Sequence, residues 1–439
     1  MTSASVLSSQ RVRRLSKEGF WVVFGHALAV LGSVIGLRLL TSLLTPAAYG
    51  ELALGMTAAT LVNQTVLGPL GNGATRFYAP AQEQGDLGNY LNSLRQLVLW
   101  ATAMVVFMIL LAVAGLLITR HTNLVTLAIA ALILALLSGY NSILNGIQNA
   151  ARQRSIVALH QGIESWAQFL VAAGLLMWLG SSSTVAMTGY AMAAPAVLVS
   201  QYLFLRKIGP HKPTMAGKEN IWREHIWRYS WPMALTGILS WGFFASQRWA
   251  LELFSSTEDV GYFSVVFQLG FAPFSLAGSI LMTLMMPIFF GRAGTGVDRQ
   301  KVNLVSQSII KFCFVASLIV LLATAMGATF HGMIFRLLVA ERYRVASHYL
   351  PYAILAGGIF QISLFLTTIV LVGTNTRSLL PLSTIGNVLM IAMTFLFTRF
   401  YAMDGLFIAM VSGSIIHLVW MMCITRKVMA QDSNNQSHC

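Results

Sequence analysis

The sequence predicts an all-α polytopic membrane protein with about twelve transmembrane helices. Three observations predict it. Of the 439 residues, 56% are hydrophobic and only 10% charged, with a mean hydropathy of +0.71. Soluble domains carry about 25% charged residues, so this chain lacks the polar surface that water requires. Apolar runs recur along its whole length, long enough to cross a ~30 Å hydrocarbon core as helices. They do not alternate with period two, which argues against a membrane β-barrel.

The first run, 20–44, follows Arg11, Arg13, Arg14 and Lys17 and imitates a signal peptide. It is longer than the ~7–15 residues of a signal-peptide core, and no small-x-small cleavage site follows cleanly. It therefore reads as an uncleaved first helix. Runs at 51–75, 96–118, 124–148, 156–179 and 184–205 complete a first set of six. The longest polar connection then falls halfway along the chain. It contains Gly209-Pro210-His211-Lys212-Pro213 and a basic, tryptophan-rich stretch, Ile221 to Arg228, of the kind that lies at a headgroup interface. The second set is 229–254, 262–290, 304–329, 348–373, 379–399 and 405–425, with Pro273 and Pro287 bending the second of these. The expected organisation is an N-terminal six-helix lobe over 1–205, a cytoplasmic linker with an interfacial helix over 206–228, and a C-terminal six-helix lobe with a short tail over 229–439.

Charge distribution orients the spans. Of 28 basic residues, twenty fall in segments on the side of the N-terminus, against five on the other side (Arg120, Arg336, Arg342, Arg344 and Arg399). By the positive-inside rule both termini are cytoplasmic. The net charge of +14 is therefore topological, and no nucleic-acid partner is expected. Cys313, Cys423 and Cys439 are scattered, odd in number and without metal spacing, so neither a disulfide nor a metal is inferred.

Two echoes suggest duplication. Arg38 precedes Leu44-Thr45-Pro46-Ala47-Ala48-Tyr49-Gly50, and Arg248 precedes Ser256-Thr257-Glu258-Asp259-Val260-Gly261; the two glycines are 211 residues apart. Arg154-Ser155-Ile156, entering the fifth run, resembles Arg377-Ser378-Leu379, entering the eleventh. Two lobes with an even number of spans each would be parallel repeats.

Charges inside apolar runs are costly and mark functional sites by default. Arg38 and Arg248 each lie six residues, about 9 Å, inside a predicted span end. Either can snorkel along its stem, but two arginines facing one cleft would suit a diphosphate. Glu252, four residues after Arg248, is a local ion-pair partner or a coupling group. His160 and Glu164, also four apart, form a proton-carrying pair or a satisfied hydrogen-bonded one. Lys311 lies near the inner end of its span and ranks lower. Asn141 and Asn145, with Gln148 or Asn149, make a polar stripe that glues helices or lines a wet cavity. No phosphate-binding loop, nucleophile elbow or metalloprotease motif occurs, and no predicted outer loop offers a site for catalysis. The chain reads as a non-enzyme without a cofactor.

At this point the residues resemble a known family. Leu44-Thr45-Pro46-Ala47-Ala48-Tyr49-Gly50-Glu51-Leu52-Ala53 resembles the first-loop signature of Wzx-type polysaccharide flippases, of the multidrug/oligosaccharidyl-lipid/polysaccharide exporter superfamily. Arg248 with Ser256 to Ser264 looks like the corresponding stretch of the second lobe, and Asn145-Gly146 to Arg154 and Gly373-Thr374-Asn375-Thr376-Arg377 look like the inner turns after spans four and ten. The resemblance implies two six-helix lobes around a central cavity that alternates between inward-open and outward-open states. The cargo it implies is an undecaprenyl-diphosphate-linked oligosaccharide, moved to the outer leaflet of a bacterial inner membrane for O-antigen, capsule or exopolysaccharide synthesis. Membrane lipids, a polysaccharide polymerase and chain-length proteins would be its partners. The family's cationic cavity residues carry over to Arg38 and Arg248, while Gln247 stands where many relatives have an acid. The alternatives are a multidrug antiporter of the same superfamily, a peptidoglycan-precursor flippase, and, more remotely, a membrane-embedded polymerase or ligase.

Overall fold

The computed structural model describes residues 3–120, 124–206, 219–293, 299–372, 376–379 and 381–434. The stretch Gly209-Pro210-His211-Lys212-Pro213, the turn residues Gly373-Thr374-Asn375 and Cys439 lie outside them. The protein is an all-α polytopic membrane protein, with no strand among the described residues. Large apolar side chains such as Trp100, Ile118 and Trp178 are 74%, 82% and 81% exposed on its helices, a surface that only hydrocarbon solvates cheaply.

Contacts divide the chain into two compact units, Met1–Trp241 and Gly242–Cys439. The first unit contains α1 (Ser3–Leu43), α2 (Pro46–Val62), α3 (Gly68–Glu83), α4 (Leu87–Ile118), α5 (Val125–Ala150), α6 (Arg154–Leu179), α7 (Ser183–Arg206) and the start of α8 (Glu219–Phe254). A π-helical turn, Asn63–Leu67, joins α2 to α3. The second unit holds the rest of α8, then α9 (Thr257–Gly270), α10 (Ala272–Ala293), α11 (Arg299–Leu338), α12 (Leu350–Val372) and α13 (Asn387–Asn434), with 3₁₀ turns at Glu341–Tyr349 and Thr376–Leu379 and a π-helical turn at Leu382–Gly386. Helix α13 is broken at Ala402, whose φ of 48° and ψ of −126° no helix accommodates.

Small residues let the helices of each unit approach closely, as in membrane bundles generally. Gly189 of α7 lies against the Ala172 backbone of α6, and the Trp166 indole of α6 donates to the Leu28 carbonyl of α1 at 3.0 Å. In the second unit α12 is the most buried of the candidate membrane spans, with Gly357 against Phe271 and Gly358 against Val320.

Nine helices among the described residues are long and apolar enough to cross a membrane, against the twelve runs expected. The difference has physical causes. Predicted run 51–75 is interrupted by the π-helical turn, and run 229–254 carries Ser246, Gln247, Arg248 and Glu252. Runs 379–399 and 405–425 count once because α13 continues past Ala402. The helix expected at 221–228 is the first part of α8 and continuous with the run that follows. Its Trp222 is buried and donates to Asp86 Oδ2 at 2.7 Å, whereas Trp227 is exposed.

The turns that carry the 211-residue echo match in structure. Helices α1 and α8 end at Leu43 and Phe254, and α2 and α9 begin at Pro46 and Thr257. Thr45 and Ser256 are the N-caps, accepting from the amides of Ala48 at 3.2 Å and Asp259 at 3.1 Å.

Candidate functional site

The first unit holds a polar cleft of about 450 Å³ between α3, α5 and α6. Its lining runs from Gly68, Gly71, Asn72 and Thr75 on α3, through Ser138, Ser142, Asn145, Gly146 and Asn149 on α5, to Gln161 and Glu164 on α6. Local structure opens it. The π-helical turn at Asn63–Leu67 leads directly into α3, and a widened turn of this kind occurs often at functional sites. Gly71 faces Ile143, and Gly146 faces Thr75 and the Gly71 carbonyl, so bare backbone replaces side chains along the seam.

The polar stripe on α5 divides its work. Buried Asn141 donates to Glu164 Oε1 at 3.1 Å, and its own Oδ1 is buried with no hydrogen-bond partner among the described residues. Asn145 Oδ1 accepts from Gln201 Nε2 at 2.9 Å, and Gln148 Nε2 donates to the Gln201 carbonyl at 3.2 Å, which ties α5 to α7. Asn145 and Asn149 also line the cleft. One stripe therefore both joins helices and wets a cavity.

His160 and Glu164 share a helix but not a hydrogen bond. His160 Nδ1 lies 2.8 Å from the Ile156 carbonyl, which can only accept, so Nδ1 carries a proton. Nε2 lies 2.9 Å from Ser200 Oγ on α7. The hydroxyl satisfies the ring there, and Glu164 turns instead to Asn141. Lys311 is exposed on α11.

In the second unit, half-buried Arg248 of α8 is held by α9. Its guanidinium lies 5.2 Å from the Phe267 ring and 5.7 Å from the Phe263 ring, and Nε donates to Ser264 Oγ at 3.3 Å. Each such cation–π contact contributes about 0.5–2 kcal/mol, growing with desolvation. Gln247 beside it is buried, and Glu252 Oε1 accepts from Thr257 Oγ1 at 3.0 Å. Arg38 is exposed on α1. Because α1 ends at Leu43, Arg38 is five residues from its helix end, while Arg248 is six from Phe254. The two arginines are thus one residue out of register, about 100° apart around their helices. The 211-residue offset pairs Arg248 with buried Leu37 and Arg38 with exposed Trp249.

Sequence reasoning did not find Asn72, Thr75, Phe263 or Phe267 as site residues. The glycine-rich run Gly68 to Gly73 was the available signal for the first pair, and aromatic spacing of four residues for the second.

Helices with a hydrocarbon-facing surface and polar groups sunk between them define a polytopic membrane protein built to accommodate something polar. A family model described as polysaccharide biosynthesis protein matches residues 15–292. The chain belongs to that family. No curated protein matches it. Among solved structures it is similar to an inward-facing multidrug resistance MATE family transporter of the MOP superfamily, with a TM-score of 0.71 and 13% identity over 93% of this chain and 95% of that one. It is similar to the lipid II flippase MurJ in an inward closed conformation, with a TM-score of 0.71 and 13% identity over 95% and 90%. An outward-facing MATE family transporter gives 0.61 and 15% over 96% of both chains. At such identities the likeness is one of fold.

Proposed function

We propose that the protein is a flippase. It moves an undecaprenyl-diphosphate-linked oligosaccharide from the inner to the outer leaflet of the bacterial inner membrane by alternating access, for O-antigen, capsule or exopolysaccharide synthesis. The observation that carries this reading is Arg248, a guanidinium lying against two adjacent aromatic rings of α9, on a helix of otherwise mostly apolar residues. A charge at such a place is expensive, and its fork geometry fits phosphate oxygens. Membership of a polysaccharide biosynthesis family supports the cargo class, and the fold shared with a lipid II flippase supports the reaction. Arg248 holds the diphosphate, and the prenyl tail stays in lipid. A polysaccharide polymerase and chain-length proteins receive the product, and both termini stay in the cytoplasm.

The test is transbilayer movement of a fluorescent polyprenyl-diphosphate disaccharide in liposomes containing the purified protein. Loss of one charge-assisted contact costs about 1.5–3 kcal/mol, so Arg248→Ala should slow movement about tenfold to a hundredfold. Arg248→Lys should retain part of the rate, because an ammonium keeps the charge and loses the fork. Wild-type movement by Arg248→Ala sinks the assignment.

A second reading, export of organic cations, is favoured by the equal TM-score to a multidrug transporter and by the acid Glu164 in the first unit. Accumulation of a cationic dye in inverted vesicles would establish it. Under the flippase reading no such accumulation is expected.

A further inference from the structure

We propose that the cleft between α3, α5 and α6 is a saccharide subsite, taking an uncharged sugar of the lipid-linked glycan and excluding acidic sugars; this rests on the flippase reading above. Its volume of about 450 Å³ falls within the ~300–1,000 Å³ of small-molecule sites. The lining contains no lysine, arginine or aromatic residue, so the cleft has neither a phosphate cradle nor a stacking platform. It offers amides and hydroxyls, the groups that match sugar hydroxyl and acetamido functions. Asn145 is nine-tenths buried and has one side-chain bond, through Oδ1 to Gln201, leaving its Nδ2 without a partner among the described residues. Around it, Asn72, Ser142, Asn149 and Gln161 line the cleft with no side-chain hydrogen bond to protein among the described residues. An amide in a cleft lining whose two donors meet no protein group leaves them for water or a ligand to take. An acidic sugar would place its carboxylate beside Glu164 with no counter-charge in the lining, an arrangement that disfavours binding.

The cleft lies along the C-terminal half of α5 and the N-terminal half of α6, against α3, and reaches Asn149 beside the Ala151–Gln153 turn. In the proposed orientation this is the cytoplasmic end, where a lipid-linked glycan is assembled.

The experiment compares three polyprenyl diphosphates in liposomes containing the full chain: one bare, one with a neutral N-acetylated disaccharide, one with a uronate-terminated disaccharide. Wild type should move the neutral glycolipid at least tenfold faster than the uronate one. Gln161→Leu and Asn149→Leu should slow the neutral glycolipid about tenfold and leave the bare lipid unchanged; both side chains are exposed, so the fold tolerates the change. Glu164→Gln, which can still accept from Asn141, should raise uronate movement at least fivefold. If all three lipids move but these variants treat them as wild type does, or slow the bare and neutral lipids alike, the subsite is overturned and the flippase reading stands. If none of the three moves, the flippase reading falls and takes the subsite with it.

Discussion

At the scale of single residues, buried polar groups in this chain have specific partners, and the Asp86–Trp222 bond shows what one of them stabilises. Asp86 is buried in the turn between α3 and α4, accepting from Asn89 Nδ2 at 2.8 Å and from the Trp222 indole at 2.7 Å. Tyr90 packs edge-on between Tyr78 and Trp222 and donates to the Ala74 carbonyl at 2.7 Å. Trp222→Phe keeps the ring and removes the donor from a carboxylate, which costs about 1.5–3 kcal/mol. In detergent the melting temperature should fall by about 3–12 °C. Adding Asp86→Asn should recover part of that loss, since an amide is cheaper to leave with one partner fewer. Equal melting of wild type and Trp222→Phe would show the bond to be idle. None of this was legible in the sequence, because the partners are 136 positions apart and a tryptophan near a basic cluster reads equally well as a headgroup anchor. Arg248 was legible as a charge out of place. Its aromatic holders were not, since they depend on which face of α9 meets α8. The register error at Arg38 has a simpler origin: a helix end placed one residue late rotates everything counted from it by about 100°.

At the scale of elements, two of the stretches least like membrane spans by composition contribute candidate site residues, beside the more apolar α5 and α6. The α2–α3 pair contributes Asn72 and Thr75 and is widened by a π-helical turn; α8 contributes Arg248. A helix that lines a wet cavity can give up hydrophobicity that a lipid-facing helix cannot. The capped turns at Thr45 and Ser256 were legible because Ser/Thr caps and the following helix starts leave a local signature. The π-helical turn was not, because Asn63 to Leu67 contains no residue that demands it. Its position is nevertheless locked by packing. A methyl group at Gly237 of α8 would lie 2.1 Å from the Gln64 carbonyl oxygen inside that turn. Gly237→Ala must push α8 away from backbone, and overpacking of this kind costs about 1–3 kcal/mol. Gly174→Ala, on the open side of α6 where nothing lies within 4 Å, should instead stabilise by about 0.5–1 kcal/mol. Thermal melts of the two variants should therefore move in opposite directions. A shared direction would mean that the close approach at the π-helical turn does not constrain the fold.

At the scale of the whole molecule, the number of membrane crossings decides where the termini lie. Nine helices among the described residues satisfy length and composition, and an odd count would put the two ends of the chain on opposite sides. We propose three further crossings. The stretch Thr384–Lys427 counts once, yet 44 residues of helix would extend about 66 Å, twice the ~30 Å hydrocarbon core. The backbone leaves helical geometry at Ala402, near its middle, so the stretch crosses twice. Residues 46–83 continue through α2, the π-helical turn and α3, and α8 has 36 residues; each is long enough to cross. Counting these would make twelve, an even number, as the twenty-to-five bias of basic residues toward one side requires. Fluorescent-protein fusions placed before Met1 and after Cys439 should both mature in the bacterial cytoplasm. Single cysteines at Arg120 and Ser181 should react with a membrane-impermeant maleimide added to intact cells, and cysteines at Gln84 and Arg152 only after permeabilisation. A dark C-terminal fusion beside a fluorescent N-terminal one would restore an odd count, and would mean that α8 or the α2–α3 pair lies in the interface instead of spanning it.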